Sequence, residues 1–399
     1  MVGHSSLNAT QTIAYESRYL VPTYTRSDRV FTHGEGSYLF DTAGNRYLDF
    51  ASGIAVTALG HSDQMWIKAV KDQADQLVHV SNLYHTTPHV QLAQRLVENS
   101  FADRVFFCNS GSEANEAALK FARKWVRVAI GVDNKTNIVA FEGSFHGRTM
   151  GALSVTARQQ YRDPFAPLMP GVSFAPFNDL DAARKAIDSK TCAVIVEPVQ
   201  GEGGVRVAEP GFLECLRDLC DQHQVILVFD EVQCGLGRTG YLWAHENYAV
   251  TPDIMTLAKP LAGGLPIGAV LVIEAVAATM QPGDHGSTFA AGPLVCRAGQ
   301  AVFDRICPTK FLRTVRANGE YLQDCLRRLQ SAGIVDVRGS GLLIGVEFNS
   351  AVKPIISAAA DKGLLVINAG ENVLRLCPPL IVTREQIDRA VEIIRECLG

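Results

Sequence analysis

Lys259 is a lysine whose position along the chain would suit covalent chemistry. It follows Ile254–Ala258, an apolar run that predicts a strand, and it precedes a turn that contains Gly263 and Gly264. A poorly solvated lysine loses proton affinity, and its neutral amine becomes a nucleophile for carbonyl groups. The alternative is an ordinary solvated lysine, which is the commoner state of this residue type. By itself, Lys259 leaves both interpretations open.

Asp230 is a carboxylate at the end of a second and more apolar run. Val225–Phe229 is apolar throughout, as expected of a strand that is buried on both faces. Open α/β sheets bind their ligands at the carboxyl ends of such strands. A carboxylate there is costly unless it meets a cationic partner, and the protonated nitrogen of a pyridine ring would serve as that partner and make the ring an electron sink. The alternative role for Asp230 is to cap a neighbouring turn.

The segment Asn109-Ser-Gly-Ser-Glu-Ala-Asn115 has the composition of an anion-binding connection. It follows a strand predicted at Arg104–Cys108 and opens a run of strong helix formers. Small residues allow backbone N–H groups to approach an anion closely, and the helix dipole adds positive potential. The segment therefore predicts a phosphate site, and an ordinary strand–helix connection with a serine cap is the alternative.

Alternating apolar runs and amphipathic helices predict the scaffold that must position these residues. Further strands are predicted at Asn137–Phe141, Cys192–Val196 and Ala269–Ile273. Between the last two, Leu213 and Leu216 belong to an apolar stripe with helical spacing. This alternation of strands and helices indicates a mainly parallel α/β sheet.

The two ends of the chain have a different pattern. Near the start, Tyr38–Leu48 predicts a hairpin with its turn at Ala43-Gly44-Asn45. Near the end, a helix is predicted over Phe311–Leu329, with Phe311, Val315, Leu322, Cys325 and Leu329 on one face. Short strands are predicted at Leu342–Glu347, Leu364–Ile367 and Val373–Leu376. Thr383 and Gln386 form a capping-box pair that opens a final helix, whose apolar stripe is Ile387, Val391, Ile394 and Leu398.

Bulk composition argues against several classes of protein. A formal net charge of −4 without a basic block favours neither nucleic acid nor an anionic membrane. No apolar run approaches the roughly 18 residues of a membrane span. The ten cysteines include no CxxC pair, which argues against a zinc site and fits free thiols in a reducing compartment. Since Met1–Ser5 lacks the features of a secretory signal, we expect a cytoplasmic location, or an organelle matrix if a transit peptide has been removed.

Six segments that carry chemistry occur in a specific order along the chain. They are Asn109-Ser-Gly-Ser-Glu-Ala-Asn115, Phe145-His-Gly-Arg148-Thr, Glu197-Pro-Val-Gln-Gly-Glu-Gly203, Phe229-Asp-Glu-Val-Gln233, Ala258-Lys259 and Gly286-Ser-Thr-Phe289. Together they resemble the class III (subgroup II) aminotransferases, which are pyridoxal-phosphate enzymes of fold type I. The agreement runs from about Val21 to the C-terminus. The resemblance implies a large domain at 61–295 with a mainly parallel seven-stranded sheet, and a small α+β domain formed by 1–60 and 296–399.

The resemblance also implies roles for the residues that would surround the cofactor. Lys259 would hold pyridoxal 5′-phosphate as a Schiff base and act as the general acid–base. Asp230 would pair with the pyridine nitrogen, Gln233 would contact the ring hydroxyl, and Phe145 would stack on the ring face. Ser110, Gly111 and Ser112 would hold the phosphate, which Thr288 would reach from the partner subunit. The resemblance therefore implies a homodimer with shared active sites.

Two arginines look like clamps for substrate carboxylates, because a guanidinium binds a carboxylate through two parallel hydrogen bonds. By resemblance, Arg375 would hold the α-carboxylate of glutamate and Arg148 its distal carboxylate, with Ser287 among the other substrate-binding residues. Glu202 resembles the family's gate residue. It would pair with Arg375 when the donor reacts through its distal amine, and move away for glutamate.

Two further segments resemble the acetylornithine branch of the family. They are Gly53-Ile-Ala-Val56 with Leu59-Gly-His61, and His79-Val-Ser-Asn-Leu-Tyr84. The chain departs from the pattern at Thr57, where the branch usually has Asn. It departs again at Ala290-Ala-Gly-Pro293, where the family usually has Gly-Gly-Asn-Pro. The first departure lies near the substrate, and the second changes turn residues beside the phosphate site.

The expected activity is transfer of the δ-amino group of N2-acetylornithine to 2-oxoglutarate, in arginine biosynthesis. Ornithine δ-aminotransferase and the 4-aminobutyrate and succinylornithine enzymes are alternatives within the family. An aminomutase of the glutamate-1-semialdehyde type and an inactive cofactor-binding protein are alternatives from other classes. Arg148 and Glu202 favour a transaminase, since an isomerase needs no switch between two carboxylate arrangements. Intact Lys259, Asp230 and Gln233 argue against an inactive protein.

Overall fold

The computed structural model describes residues 7–329 and 333–399. Its strands in chain order are β1 (Phe31–Glu35), β2 (Tyr38–Asp41), β3 (Arg46–Asp49), β4 (Arg104–Cys108), β5 (Asn137–Phe141), β6 (Val172–Ala175), β7 (Thr191–Val196), β8 (Val199–Gln200), β9 (Arg206–Val207), β10 (Ile226–Asp230), β11 (Ile254–Leu257), β12 (Gly268–Val272), β13 (Ile334–Ser340), β14 (Leu343–Phe348), β15 (Leu364–Leu365), β16 (Ile367–Asn368) and β17 (Val373–Leu376).

The α-helices lie between and around these strands. They are α1 (Ala9–Tyr19), α2 (Ser52–Ala55), α3 (Gln64–Ala74), α4 (Thr87–Glu98), α5 (Gly111–Trp125), α6 (Met150–Ser154), α7 (Gln159–Arg162), α8 (Leu180–Ala186), α9 (Phe212–His223), α10 (Glu274–Ala277), α11 (Pro293–Ile306), α12 (Thr309–Arg327), α13 (Lys353–Asp361) and α14 (Arg384–Leu398). A π-helical stretch, Val126–Ile130, extends α5. Short 3₁₀ turns occupy Asp163–Phe165, Ala244–Tyr248 and Lys259–Ala262. No helix among the described residues has both the length and the apolar character needed to cross a bilayer.

A seven-stranded sheet with the order β4-β12-β11-β10-β7-β5-β6 forms the centre of the molecule. Every neighbouring pair is parallel except those of β12, which runs antiparallel to β4 and β11. The prediction of a mainly parallel sheet of seven strands is therefore confirmed. The six strands predicted for this sheet are all present, and their ends differ from the prediction by one residue at most. The seventh strand, β6, was not predicted.

Helices cover both faces of this sheet. Leu227 and Val228 are neighbours on β10 whose side chains join different apolar clusters, because successive side chains of a strand point to opposite faces. Residues of α5, including Phe121, pack in the cluster of Val228. Residues of α9, including Leu216, pack in the cluster of Leu227. Burial on both faces explains why β10 is apolar almost throughout.

Two four-stranded sheets contain the remaining long strands. One has the order β1-β2-β3-β15 and so combines strands from the two ends of the chain, with Leu364 opposite Leu48. The other, β13-β14-β17-β16, belongs to the C-terminal region. The single strand predicted at Leu364–Ile367 was wrong: β15 and β16 belong to different sheets. β13 was also missed, and the helix predicted at Phe311–Leu329 spans Thr309–Arg327 instead.

Local signals predicted two details correctly. The hairpin of β2 and β3 turns at Ala43-Gly44-Asn45, and the Asp41 carboxylate accepts hydrogen bonds from the backbone N–H groups of Ala43 and Asn45, both at 2.9 Å. At the start of α14, Thr383 and Gln386 form the predicted capping box. Of its expected stripe, Ile387 and Ile394 are fully buried. These features depend on residues close in sequence, which is why sequence alone identifies them.

Candidate active site

A cavity of about 330 Å³ lies at the carboxyl ends of the parallel strands. This is the edge at which open α/β sheets bind ligands. The residues that line it come from segments far apart in sequence: Val56, Asn109, Ser110, Gly111, Ser112, Asn115, Phe145, His146, Gly147, Glu197, Asp230, Val232, Gln233, Ala258, Lys259, Gly264, Leu265, Pro266 and Ile267.

The N-terminus of α5 forms one wall of the cavity. Ser110 is the N-cap, and its hydroxyl accepts a hydrogen bond from the N–H of Glu113 at 3.2 Å. Gly111 and Ser112 occupy the first turn, where backbone N–H groups lie outside the helix's own hydrogen-bond pattern. A Cβ added to Gly111 would come within 2.8 Å of Val232, so the start of the helix closely approaches the segment after β10. This wall can bind an anion.

Asp230, the last residue of β10, lies at the bottom of the cavity in a buried hydrogen-bond network. Its Oδ2 accepts from Nδ2 of Asn115 at 2.8 Å and from Nδ1 of His146 at 2.7 Å. Its Oδ1 accepts from the N–H of Val232 at 3.0 Å. Thr256 in turn donates to Oδ1 of Asn115 at 2.8 Å. Because three donors hold the carboxylate, Asp230 is fixed in orientation and can present negative charge to a ligand cation.

Glu197 is a second buried carboxylate on the cavity wall. It accepts hydrogen bonds from the N–H groups of Phe145 at 3.1 Å and Gly201 at 3.2 Å. Burial raises the pKa of Glu197 to about 7, an increase that the nearby charge of Asp230 reinforces and that of His146 opposes. With this pKa, Glu197 changes charge near neutral pH. The backbone N–H groups that it binds belong to residues directly beside the cavity.

Lys259 faces the cavity from the turn that follows β11. The strand ends at Leu257, and Lys259 begins a 3₁₀ turn with φ of 27°, a value that residues other than glycine seldom adopt. Burial lowers the pKa of the Lys259 ammonium, an effect that the carboxylate of Glu202 partly offsets. A lowered pKa increases the fraction of neutral amine, which is the nucleophilic form.

Arg375 reaches the cavity region from β17 and is almost fully buried. Its Nη1 donates to Oε1 of Glu202 at 2.5 Å, to Oε1 of Gln233 at 2.9 Å and to the carbonyl of Gly201 at 3.0 Å. Burial disfavours the ionised form of Glu202, but the charges of Arg375 and Lys259 outweigh it and hold the pKa of Glu202 below its ordinary value. Glu202 is thus an anion paired with Arg375.

Arg148 lies on the outer side of Phe145 and is exposed. Its guanidinium carbon stands 3.4 Å from the ring centroid of Tyr161 and 5.6 Å from that of Phe145. Its backbone N–H donates to the hydroxyl of Ser112 at 3.2 Å. The side chain therefore rests against aromatic rings at the edge of the cavity rather than on the cavity wall.

Ser287 and Thr288 also lie outside the residues that line the cavity. The hydroxyl of Ser287 accepts a hydrogen bond from Nδ2 of Asn109 at 2.7 Å, which ties this segment to the start of α5. Thr288 and its neighbour Phe289 are exposed. At the departures from the family pattern, Ala291 is buried with φ of 48°. Oγ1 of Thr57 is buried without a hydrogen-bond partner among the described residues.

The structure brings together seven of the site residues that were predicted from the sequence. These line the one cavity: Ser110, Gly111, Ser112, Phe145, Asp230, Gln233 and Lys259. Glu202 and Arg375 adjoin it through Gln233, whereas Arg148, Ser287 and Thr288 lie at its margins. The sequence interpretation assigned no role to Asn115, His146, Glu197 or Thr256. Asn115, His146 and Glu197 belong to the six segments that carry the family resemblance. Their polar side chains in those segments were the sequence signal that could have identified them.

Comparison with known proteins places this arrangement in a family. The family model described as "Aminotransferase class-III" matches residues 21–398. A relative from Alnus glutinosa, named "Acetylornithine aminotransferase, mitochondrial", is 53% identical over 387 residues, which are 96% of this chain and 86% of that protein.

Two solved structures share the fold over nearly the whole chain. The ornithine aminotransferase from Toxoplasma gondii ME49 has a TM-score of 0.95 and 31% identity, with 99% of this chain and 96% of that chain covered. The N-acetylornithine aminotransferase from Stenotrophomonas maltophilia K279a has a TM-score of 0.84 and 36% identity, with 96% and 98% covered. The expected fold type I architecture is thereby confirmed.

Proposed function

Because the chain belongs to the class III aminotransferase family, we propose that it transfers the δ-amino group of N2-acetylornithine to 2-oxoglutarate. The products are N-acetylglutamate 5-semialdehyde and glutamate, and the reaction belongs to arginine biosynthesis. The observation that carries the choice of donor is the 53% identity with the acetylornithine aminotransferase of Alnus glutinosa. Ornithine is the second candidate donor, since the ornithine aminotransferase of Toxoplasma gondii has a TM-score of 0.95.

Pyridoxal 5′-phosphate is the cofactor that the residues of the cavity fit. Asp230 offers a fixed buried carboxylate for the pyridine nitrogen, and the first turn of α5 offers N–H groups for the phosphate. Lys259 offers an amine of lowered pKa, and the amide of Gln233 lies within reach of the cavity for the ring hydroxyl. When bound, the cofactor supplies an electron sink and carries the amino group between the two substrates.

The protein's own residues would supply binding and proton transfer. Phe145 would cover one face of the cofactor ring, and Asp230 would hold the proton on the ring nitrogen. Nζ of Lys259 would take a proton from the reacting carbon of the substrate as a general base and return a proton as a general acid. The lowered pKa of Lys259 suits this role, because its amine is more readily neutral at the start of the step.

Glu202 and Arg375 would allow one pocket to serve both substrates. In the structure the two are paired at 2.5 Å, which leaves no net charge for a donor carbon that lacks a carboxylate. Glutamate brings a carboxylate on its reacting carbon, and that group would replace Glu202 on Arg375. Arg148 would bind the carboxylate at the other end of either substrate.

We also propose a homodimer, in which Thr288 reaches the phosphate site of the partner subunit. Thr288 is exposed and so accessible to a partner subunit. Its neighbour Ser287 is hydrogen-bonded to Asn109, which precedes α5, and this bond fixes the segment. Phe289, Leu83 and Tyr84 near this segment are large apolar residues with 69, 86 and 67% of their surface exposed. Exposed apolar side chains that lie together are typical of protein interfaces.

The division into domains and the compartment are part of the same proposal. Residues 61–295 would form the large domain, and 1–60 with 296–399 the small one, which the sheet that joins β3 to β15 supports. All ten cysteines are free thiols. This supports a reducing compartment, either the cytoplasm or an organelle matrix.

The donor is tested by a substrate panel with purified holoenzyme. Acetylornithine, ornithine, succinylornithine and 4-aminobutyrate would be compared as donors to 2-oxoglutarate. We expect the highest kcat/KM for acetylornithine. A higher value for ornithine would transfer the proposal to the second candidate. Isomerisation of glutamate 1-semialdehyde without any 2-oxo acid would show that the protein is an aminomutase rather than a transaminase.

The gate is tested with Glu202→Ala, in which Arg375 remains permanently unpaired. Each half-reaction would be followed through the absorbance of the cofactor in single-turnover experiments. We expect the acetylornithine half-reaction to lose about 2–5 kcal/mol of transition-state stabilisation, and the glutamate half-reaction much less. Equal slowing of both halves, or of neither, would refute the gate.

The shared site is tested by mixing two inactive variants, Lys259→Ala and Thr288→Glu. A hybrid dimer contains one site with an intact lysine and an intact threonine from the partner. Random mixing should therefore restore about a quarter of the wild-type activity. A verified monomer with normal turnover would disprove the shared site.

A further inference from the structure

The side chain of Arg148 is held in place by a ring rather than by a carboxylate. Arg148 is exposed and forms no ion pair among residues 7–329 and 333–399, whereas its guanidinium lies 3.4 Å from the ring centroid of Tyr161. An unpaired exposed arginine would otherwise occupy many rotamers and lose that freedom on binding a substrate. The stacking contact removes this freedom before the substrate arrives.

Stacking also leaves the arginine free to bind. The ring of Tyr161 meets the flat face of the guanidinium, whereas the N–H donors of a guanidinium lie in its plane. An arginine fixed by an acidic residue would have used those donors already. A face-stacked Arg148 keeps them for two parallel hydrogen bonds to a substrate carboxylate.

Tyr161 itself is fixed from two sides. Its ring forms a T-shaped contact with that of Phe145 on the cavity wall, with centroids 6.4 Å apart and planes at 86°. On the other side, Nη1 of Arg158 donates to the Tyr161 hydroxyl at 3.4 Å, and Arg158 also donates to the backbone carbonyl of Glu202. The ring therefore stands between the wall of the cavity and the loop that carries Glu202.

We propose that Tyr161 is a positioning residue that gives the enzyme its preference for substrates with a carboxylate remote from the reacting amine. The ring holds Arg148 in the orientation that binds this carboxylate. The inference rests on the proposed function, in which Arg148 binds the far end of acetylornithine and of glutamate alike. Since both substrates use Arg148, loss of the ring should weaken both, unlike a change at Glu202.

The expected effect is a loss of affinity for the remote carboxylate. Cation–π contacts of this kind correspond to about a three- to thirtyfold change in binding. Tyr161→Leu removes the aromatic face, whereas Tyr161→Phe keeps it and loses only the hydroxyl. Phe is thus the matched control, because it retains the ring that Arg148 contacts.

The test compares two donors that differ only in the carboxylate. N-Acetyl-1,4-diaminobutane is N2-acetylornithine without its α-carboxylate, so it makes no use of Arg148. With the holoenzyme, Tyr161→Leu should lower kcat/KM for acetylornithine three- to thirtyfold, mainly through KM, and leave that for N-acetyl-1,4-diaminobutane unchanged. Tyr161→Phe should resemble the wild type with both donors. Equal loss with both donors would show a merely structural role and overturn the proposal, as would no loss with either or an equal effect of Phe and Leu.

A binding measurement separates this proposal from the identity of the donor. Glutarate has two carboxylates and no reacting group, so calorimetry on the holoenzyme measures carboxylate binding without turnover. We expect Tyr161→Leu to weaken glutarate binding by a similar factor and Tyr161→Phe to leave it unchanged. If the wild type preferred ornithine to acetylornithine, the proposed donor would be wrong, and the glutarate result would still decide the role of Tyr161. Unchanged glutarate affinity in Tyr161→Leu would overturn it.

Discussion

Asp230 and Glu231 are adjacent carboxylates that accept similar sets of hydrogen bonds from different residues. Both are buried, and each accepts three hydrogen bonds, one of them from a histidine Nδ1. His146 donates to Asp230 at 2.7 Å, and His245 donates to Glu231 at 2.8 Å. Glu231 directly follows the last residue of β10, and the two carboxylates have no hydrogen-bond partner in common, so they belong to separate clusters.

The two clusters differ in what lies beside each carboxylate apart from its histidine. Asp230 lines the cavity, so its charge remains available to a ligand. Glu231 binds the backbone N–H groups of Ala244 at 2.6 Å and His245 at 2.9 Å, and so anchors the turn Ala244–Tyr248. A buried carboxylate–histidine pair can therefore serve a binding site or stabilise a turn. Which of the two it does depends on whether the carboxylate also faces a cavity.

Asp230→Asn should have the largest effect. A neutral amide cannot keep a bound pyridine nitrogen protonated, so the cofactor loses its electron sink. We expect a rate loss on the order of 10³-fold, about 4 kcal/mol, together with a lower melting temperature, because the amide also places a donor against groups that donate to Asp230. Steady-state kinetics and calorimetry measure the two quantities. Near-normal turnover would mean that Asp230 has the structural role assigned to its neighbour.

Glu231→Gln should lower stability without the loss of rate. The amide group places a donor against N–H groups that need an acceptor, so the turn at Ala244–Tyr248 loses its anchor. We expect the free energy of unfolding to fall by about 3 kcal/mol, while kcat changes by less than about threefold. Chemical denaturation measures the first, and the substrate assay the second. A large loss of kcat at unchanged stability would contradict the contrast.

The two histidines provide a matched pair with a smaller effect. His146→Leu removes one donor from Asp230, and hydrogen bonds to charged groups are worth about 1.5–3 kcal/mol. We expect the rate to fall about 10- to 100-fold. His245→Leu should lower the melting temperature and leave the rate nearly unchanged. If both variants affected only stability, the network around Asp230 would not contribute to catalysis.

Glu197 should give the cavity cluster a pH-dependent contribution to stability. Its folded pKa is about 7 against an ordinary value of 4.5, so between these values the folded state binds a proton that the unfolded state does not. The stability due to Glu197 is therefore full below pH 4.5 and is lost as pH rises through 7, by at most about 1.4 kcal/mol per pH unit. Thermal unfolding of the cofactor-free protein should show this fall, and Glu197→Gln should flatten it. An unchanged slope in the variant would show that another group titrates.

Much of the fold could be predicted because local patterns determine it. The apolar run of β10, the hairpin turn at Gly44 and the capping box of α14 depend on nearby residues, and all three were correct. β13 and the separation of β15 from β16 were not predicted. β15 and β16 have two residues each, and such short strands acquire their pairing from distant partners, such as Leu48 for Leu364, and carry no periodic signal of their own.

For the site, the sequence by itself determined which residue types could do the chemistry and in what order they occur. Lys259, Asp230 and the segment that starts α5 stand at the ends of strands, and strand ends of a parallel sheet meet at one edge. The tertiary structure alone decided how the Asp230 carboxylate is oriented and how deeply it is buried. It also brought Asn115 and His146 to that carboxylate and Tyr161 to Arg148. The physical reason is that nearby residues determine where a strand ends, whereas the hydrogen-bond partners of a residue at that end come from segments distant in sequence.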